Sequence, residues 1–308
     1  MEFIGVINQI IVLFLVVCVG YICGKLNYID DHVYGKLSKI LLNITLPCMI
    51  VASAVGSSSE YDSSTIVTVW IMATVMFFIL IPVIGVIINF ILKTPEKEKT
   101  LFSFMTICSN LGFMGYPVIR AIYGEESIFL CSFYIMIFSV ALYTIGIFML
   151  AKGKGEKSKF TLKQIITPGM IACVISLIVF LTKAHLPEVI KGTLDSVGGI
   201  TSPLAMMLIG VSMTKLSLKG LLKNGRLYLY TLLKQLVFPL LCYFIMSTFV
   251  SNKIILGIFV VMLAMPTGPV AVMFANQYKK DSTVVAETVL IGTIASFIAI
   301  PLLCTVLI

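Results

Sequence analysis

The chain is dominated by long stretches without charge. From Ile66 to Leu92 no residue is Asp, Glu, Lys or Arg. A helix of that length spans about 30 Å of hydrocarbon with room to tilt. Lipid tails offer no hydrogen bonds, so only α-helices and closed β-barrels satisfy their backbones inside a bilayer. Barrel strands alternate apolar and polar residues, whereas these runs are continuous. Composition points the same way: 12% of the 308 residues are charged, against about 25% in a soluble domain. Mean hydropathy is +1.08. A soluble enzyme, a nucleic-acid-binding protein and a disordered chain are excluded, and the net charge of +8 is not a nucleic-acid footprint.

Ten apolar spans are expected, at about 4–24, 37–56, 66–92, 100–121, 127–151, 164–182, 193–214, 226–250, 254–278 and 282–307. The first lacks a preceding basic residue and reads as a retained helix, not a cleaved signal. Basic residues test the count. Of 22 Lys and Arg, 17 fall in loops after odd-numbered spans and four in loops on the other side, with Lys234 inside a span. The positive-inside rule places the first set in the cytoplasm and both termini outside, as expected of a multi-pass protein of the cell membrane. The eight cysteines form no CxxC pair and read as small buried hydrophobes.

The longest polar stretch, a basic cytoplasmic linker at 152–163, divides residues 1–151 from 164–308. Prolines recur across that division. Pro47 matches Pro203 at an offset of 156, Pro82 matches Pro239 at 157, and Pro117 matches Pro269 at 152. Five spans are an odd number, so the second half enters the membrane from the opposite side. The expected fold is an all-α membrane protein with ten transmembrane helices, arranged as two inverted five-helix repeats.

Spans 4 and 9 concentrate Gly and Pro at mid-membrane. Span 4 carries Ser109, Asn110, Gly112, Gly115 and Pro117. Span 9 carries Pro266, Thr267, Gly268 and Pro269. Proline removes a backbone donor and glycine frees the dihedrals, so both helices are expected to break and to cross. The N-terminal ends of the second half-helices would then offer bare amides and positive dipole ends to a carboxylate. Asn110 and Thr267 would add neutral hydrogen-bonding groups. Ordinary proline kinks are the alternative.

These residues also carry a resemblance. Asn43 to Pro47, Ser109 to Pro117, Met265 to Pro269, Ala275 to Tyr278 and the run Ser282 to Pro301 are similar to motifs of the auxin efflux carrier family. The resemblance spans the chain. It implies a scaffold of helices 1, 2, 6 and 7 that forms a homodimer, and a moving domain of helices 3–5 and 8–10. Helices 4 and 9 would cross at the substrate site, with transport by an elevator-like shift. Asn110 to Pro117 and Pro266 to Pro269 would occupy the crossing, faced by Asn43, Thr45 and Pro47 from the scaffold.

Charges inside a membrane mark function by default. Lys234 in span 8 could snorkel to the interface, pair with Glu287 in span 10, or attract an acidic substrate. Glu287 is either a hydrated first-turn residue or a proton-coupling carboxylate. His32 and His185 read as solvated loop residues, and no metal or cofactor is expected. The leading function is a secondary carrier of a small organic anion, driven by H+ or Na+. A cation/proton antiporter is less well matched, because neither crossing segment carries an acidic pair. A sensor built on a carrier fold is the third reading, and an enzyme is not expected.

Overall fold

The computed structural model describes residues 3–55, 61–151, 166–184, 186–214 and 224–307. The linker at 152–163, together with Lys215, Lys219, Lys223 and His185, lies outside the described residues. Among the described residues helix occurs in each of the ten expected runs, interrupted in the fourth and the ninth. In chain order the helices are α1 Phe3–Lys25, α2 Asp31–Ala54, α3 Ser63–Ile91, α4 Glu96–Ile107, α5 Tyr116–Tyr123 and α6 Ser127–Leu150. Then come α7 Pro168–Thr182, α8 Glu188–Thr214, α9 Gly225–Met246, α10 Lys253–Ala264, α11 Val270–Gln277 and α12 Ser282–Leu307. Six of these (α2, α3, α6, α8, α9 and α12) are by themselves long and apolar enough to cross a membrane. Many side chains that water would reject are on the surface. Phe90 is 83% exposed and Phe249 78%, a surface suited to lipid.

Capping residues fix several helix starts. Asp30 accepts from the Val33 amide at 2.7 Å to start α2. Thr167 accepts from Met170 at 3.2 Å, one residue before Pro168. Asn252 accepts from Ile254 and Ile255, and Asp281 from Thr283 and Val284. Each satisfies amides that the first turn leaves without partners.

The prolines have a shared local consequence. Pro47, Pro82, Pro117 and Pro239 each stand two residues after a widened π-type turn, at Leu41–Thr45, Met76–Leu80, Leu111–Gly115 and Leu233–Val237. In the first, Leu46 N–H reaches back to Leu41 O, one residue further than in an α-helix. A proline cannot donate to the fourth residue back and its ring crowds that carbonyl. Widening the turn moves the carbonyl away. The turns before Pro82 and Pro239 start at Met76 and Leu233, at the same offset of 157 as the prolines. Leu142–Gly146 in α6 is widened without a proline.

The chain forms two compact units, interleaved along the sequence. Unit 1 comprises the described residues of Met1–Ile71, Gly112–Met136 and Leu162–Lys215. Here α1 lies along the second part of α8 at backbone contact. A β-carbon on Gly20 would fall 2.1 Å from the carbonyl oxygen of Met207, and one on Gly210 2.0 Å from that of Val17. Small residues allow such an approach, which supplies dispersion contacts where lipid removes the hydrophobic drive. The second part of α2 packs on α7 and α8. Ser176 Oγ donates to Ile50 O at 3.0 Å, and Gly198 abuts the backbone of Met49.

Unit 2 comprises the described residues of Met72–Leu111, Ile137–Thr161 and Leu216–Ile308. The end of α3 packs along α4. Asn89 Nδ2 donates to Ser103 Oγ at 2.8 Å and to Lys99 O at 3.1 Å. Phe104 and Tyr143 both meet the ring of Phe274 edge-on, at 6.0 and 6.1 Å. Arg226 joins the start of α9 to Glu98 near the start of α4, at 3.2 Å.

Candidate functional site

Within unit 2 the interruptions of spans 4 and 9 meet. α10 stops at Ala264 because Met265 precedes a proline, which excludes helical dihedrals there; Met265 has φ −56° and ψ 137°. α4 stops at Ile107, and Cys108 leaves the helix at ψ 64°. The two extended segments pair antiparallel as an isolated bridge, Ser109 opposite Thr267. Asn110 N–H donates to Pro266 O at 2.7 Å, and Gly268 N–H donates to Cys108 O at 2.8 Å. A β-carbon on Gly268 would lie 3.3 Å from Asn110 Cα, so glycine eases the close approach. These amides are therefore not bare. At Asn110 and Gly268 the expected free donors are taken by the opposite strand, because each break supplies carbonyls as well as amides.

The positive charge comes from a side chain. Lys234, in the widened turn of α9, is 3% exposed. Its Nζ donates to Ser109 Oγ at 3.0 Å and to the carbonyl of Met265. Lys234 neither snorkels to an interface nor pairs with Glu287, two of the readings its sequence position allowed. Glu287 is half-buried in α12, and no ion pair joins it to Lys234 among the described residues. A hydroxyl network surrounds the lysine. Thr267 Oγ1 donates to Met105 O at 3.1 Å, satisfying a carbonyl in the last turn of α4. Tyr230 Oη lies 3.4 Å from both Thr106 Oγ1 and Thr267 Oγ1. Gln235 Nε2 donates to Gly292 O at 2.9 Å. The Asn110 Nδ2 and Gln235 Oε1 atoms are buried without a protein partner.

The other expected site residues fall as follows. Pro266, Thr267 and Gly268 are buried in the crossing, and Pro269 starts α11. The break in span 4 precedes Gly112, Gly115 and Pro117. Gly115 and Pro117 are buried in unit 1, with Gly112 half-buried beside Leu42. Asn43, Thr45 and Pro47 lie at the widened turn of α2 in unit 1. Asn43 is exposed, Pro47 is half-buried, and Thr45 Oγ1 donates to Leu41 O. Sequence reading missed Thr106, Tyr230 and Gln235. For Tyr230 and Gln235 the signal was a cluster of polar residues (Tyr230, Thr231, Lys234 and Gln235) at helical spacing inside an apolar span.

Unit 1 also holds a cavity of about 340 Å³, lined by Ser53, Arg120, Glu125, Glu126, Lys191 and Asp195 among others. Arg120 is already paired with Glu125. Three carboxylates against two cations make it a poor match for an anion, so its volume does not outweigh the chemistry of the crossing.

The family model described as "Membrane transport protein" matches residues 5–304. A relative from Methanothermobacter thermautotrophicus, named an uncharacterized transporter, is 24% identical over the full length of both chains. Another from Methanocaldococcus jannaschii, named uncharacterized transporter MJ1031, is 21% identical over 96% of each. The mouse protein named lysosomal cholesterol signaling protein is 23% identical over 92% of this chain and 35% of its own length. A membrane transporter is what the apolar helices and the family match jointly describe: the chain belongs to the membrane transport protein family, the auxin efflux carrier family whose motifs it carries.

Proposed function

We propose that this transporter is a secondary carrier that moves a small organic anion, a carboxylate, across the cytoplasmic membrane, and that the crossing in unit 2 binds it. The observation that carries the reading is Lys234. An ammonium has three N–H donors, and two are taken by Ser109 Oγ and Met265 O. The third donor and the unpartnered Asn110 Nδ2 suit one carboxylate. A buried cation without a carboxylate partner is costly, and an anionic guest offsets that cost.

The matching widened turns before Pro82 and Pro239 support two inverted five-helix repeats. An elevator-like movement against a dimerising scaffold is what the family resemblance implies; the two compact units do not follow that division, since their boundary runs within α3 and α6. The Lys and Arg distribution supports a cytoplasmic location for the basic loops and outer termini.

The test is flux in liposomes against a panel of mono- and dicarboxylates, amines and sugars, with imposed proton, sodium and voltage gradients. Carboxylate flux that is lost in Lys234→Met supports the proposal. Flux of amines or sugars with no carboxylate response overturns it.

A further inference from the structure

Two helices end at the crossing. α4 stops at Ile107 and α10 at Ala264, with Cys108 and Met265 the first residues beyond. A helix C-terminus carries about half a negative charge and presents carbonyls without intrahelical partners. Between these ends sits the Lys234 Nζ, donating to Ser109 Oγ at 3.0 Å and to the carbonyl of Met265. Both acceptors are neutral oxygens. The acidic groups of the elements packed on α9 are engaged or placed elsewhere. Glu96 pairs with Lys99 and Glu98 with Arg226, in the first turn of α4. Glu287 of α12 makes no ion pair with Lys234 among the described residues.

Unwound carbonyls and half-helix C-terminal ends are the groups that hold monovalent ions at broken transmembrane helices. We infer that this place is a monovalent-cation subsite whose cation is the side chain itself: the tethered ammonium of Lys234 stands where a free Na+ would otherwise bind. The same spot then needs no dissolved ion to offset the two negative helix ends. Truncating the lysine leaves Ser109 Oγ and the Met265 carbonyl buried without a donor, and reopens the subsite. Transport by the intact chain is independent of Na+.

The experiment uses the full chain in detergent, without any anionic substrate. Thermal unfolding of wild type and Lys234→Ala is followed in NaCl, KCl and choline chloride at one ionic strength. Wild type should melt at the same temperature in all three. The variant should be destabilised in choline and regain about 3 °C or more in Na+ or K+ at tenfold the dissociation constant, with saturation and measurable bound ion. Equal melting of the variant in all three salts, with no bound ion, overturns the inference. If Lys234→Ala does not fold, Lys234→Ser is measured in its place, its hydroxyl serving as a ligand. Wild type supplies a further arm in liposomes: flux that requires Na+ overturns the inference whatever the variants do. A cation response in the variant without carboxylate flux by wild type leaves this inference standing and removes only the carboxylate reading.

Discussion

The amide of Asn110 donates to the carbonyl of Pro266 across 2.7 Å, so two helix interruptions remote in sequence are held as one short antiparallel ladder. With the return bond from Gly268 to Cys108, the main chain of the crossing is largely self-satisfied. A guest bound at the crossing, as proposed above, would therefore read side chains: Lys234, the Asn110 amide group and the hydroxyls around them.

Removing the charge should weaken binding as well as the fold. Lys234→Met is expected to weaken carboxylate binding at least about 30-fold, the effect of losing one partner of a buried charge pair. Lys234→Arg should not restore it, since a planar fork does not replace a point charge at this turn. Calorimetric titration with the best substrate of the flux panel checks both. Wild-type affinity in Lys234→Met would exclude the lysine from the site.

Thr267 should be structural as well as polar. Thr267→Val removes the donor to Met105 O and leaves a buried carbonyl unpaired, at about 1–3 kcal/mol. Thr267→Ser keeps that donor and should recover most of the loss. Tyr230→Phe should cost less than either, because its two contacts are long, at 3.4 Å. Denaturation midpoints order the three.

In unit 1, Gly20→Ala and Gly210→Ala should each destabilise by about 1–3 kcal/mol, because the new methyl meets backbone that cannot turn aside. The double variant should cost less than the sum, since both sites share the α1–α8 contact. Gly192→Ala, with nothing within 4 Å, should be neutral or stabilising by up to about 1 kcal/mol. Melting temperatures of the four proteins test the contact.

Asp62 caps α3, accepting from the Thr65 amide and hydroxyl and from the Ser64 hydroxyl. The Thr65 and Ser64 bonds hold its carboxyl down at about 2. A lowered folded-state value means the cap stabilises fully above the unfolded value of about 3.9 and fades as pH falls toward 2. The melting difference between wild type and Asp62→Ala should be constant from pH 7 to 5 and narrow below pH 4. A gap that persists unchanged to pH 2 would remove the carboxylate's role.

Much of this was legible in the sequence. The charge-free runs and the Lys and Arg distribution lead to the helices, and the run from Pro266 to Pro269 marks the interruption of span 9 without choosing between its two prolines. The break in span 4 was harder to read. Pro117 draws the eye, yet the chain leaves the helix at Cys108 to Asn110, and Pro117 follows a widened turn instead. A proline can be absorbed either way, and only the surrounding packing decides. Lys234 was visible as an anomaly, but not its partners. A long flexible stem reaches several places, and residues as far apart in sequence as Ser109 and Met265 are joined only by the fold.

The widened turns also carry a consequence for chain length. A widened turn holds one residue more than an α-turn, so the helix beyond it keeps its facing although the chain is longer by one. Lys234 lies within that turn of α9. Deleting one residue between Leu233 and Val237 would let the turn close while both halves of the helix keep their neighbours. Family members that lack the matching proline should run one residue shorter there.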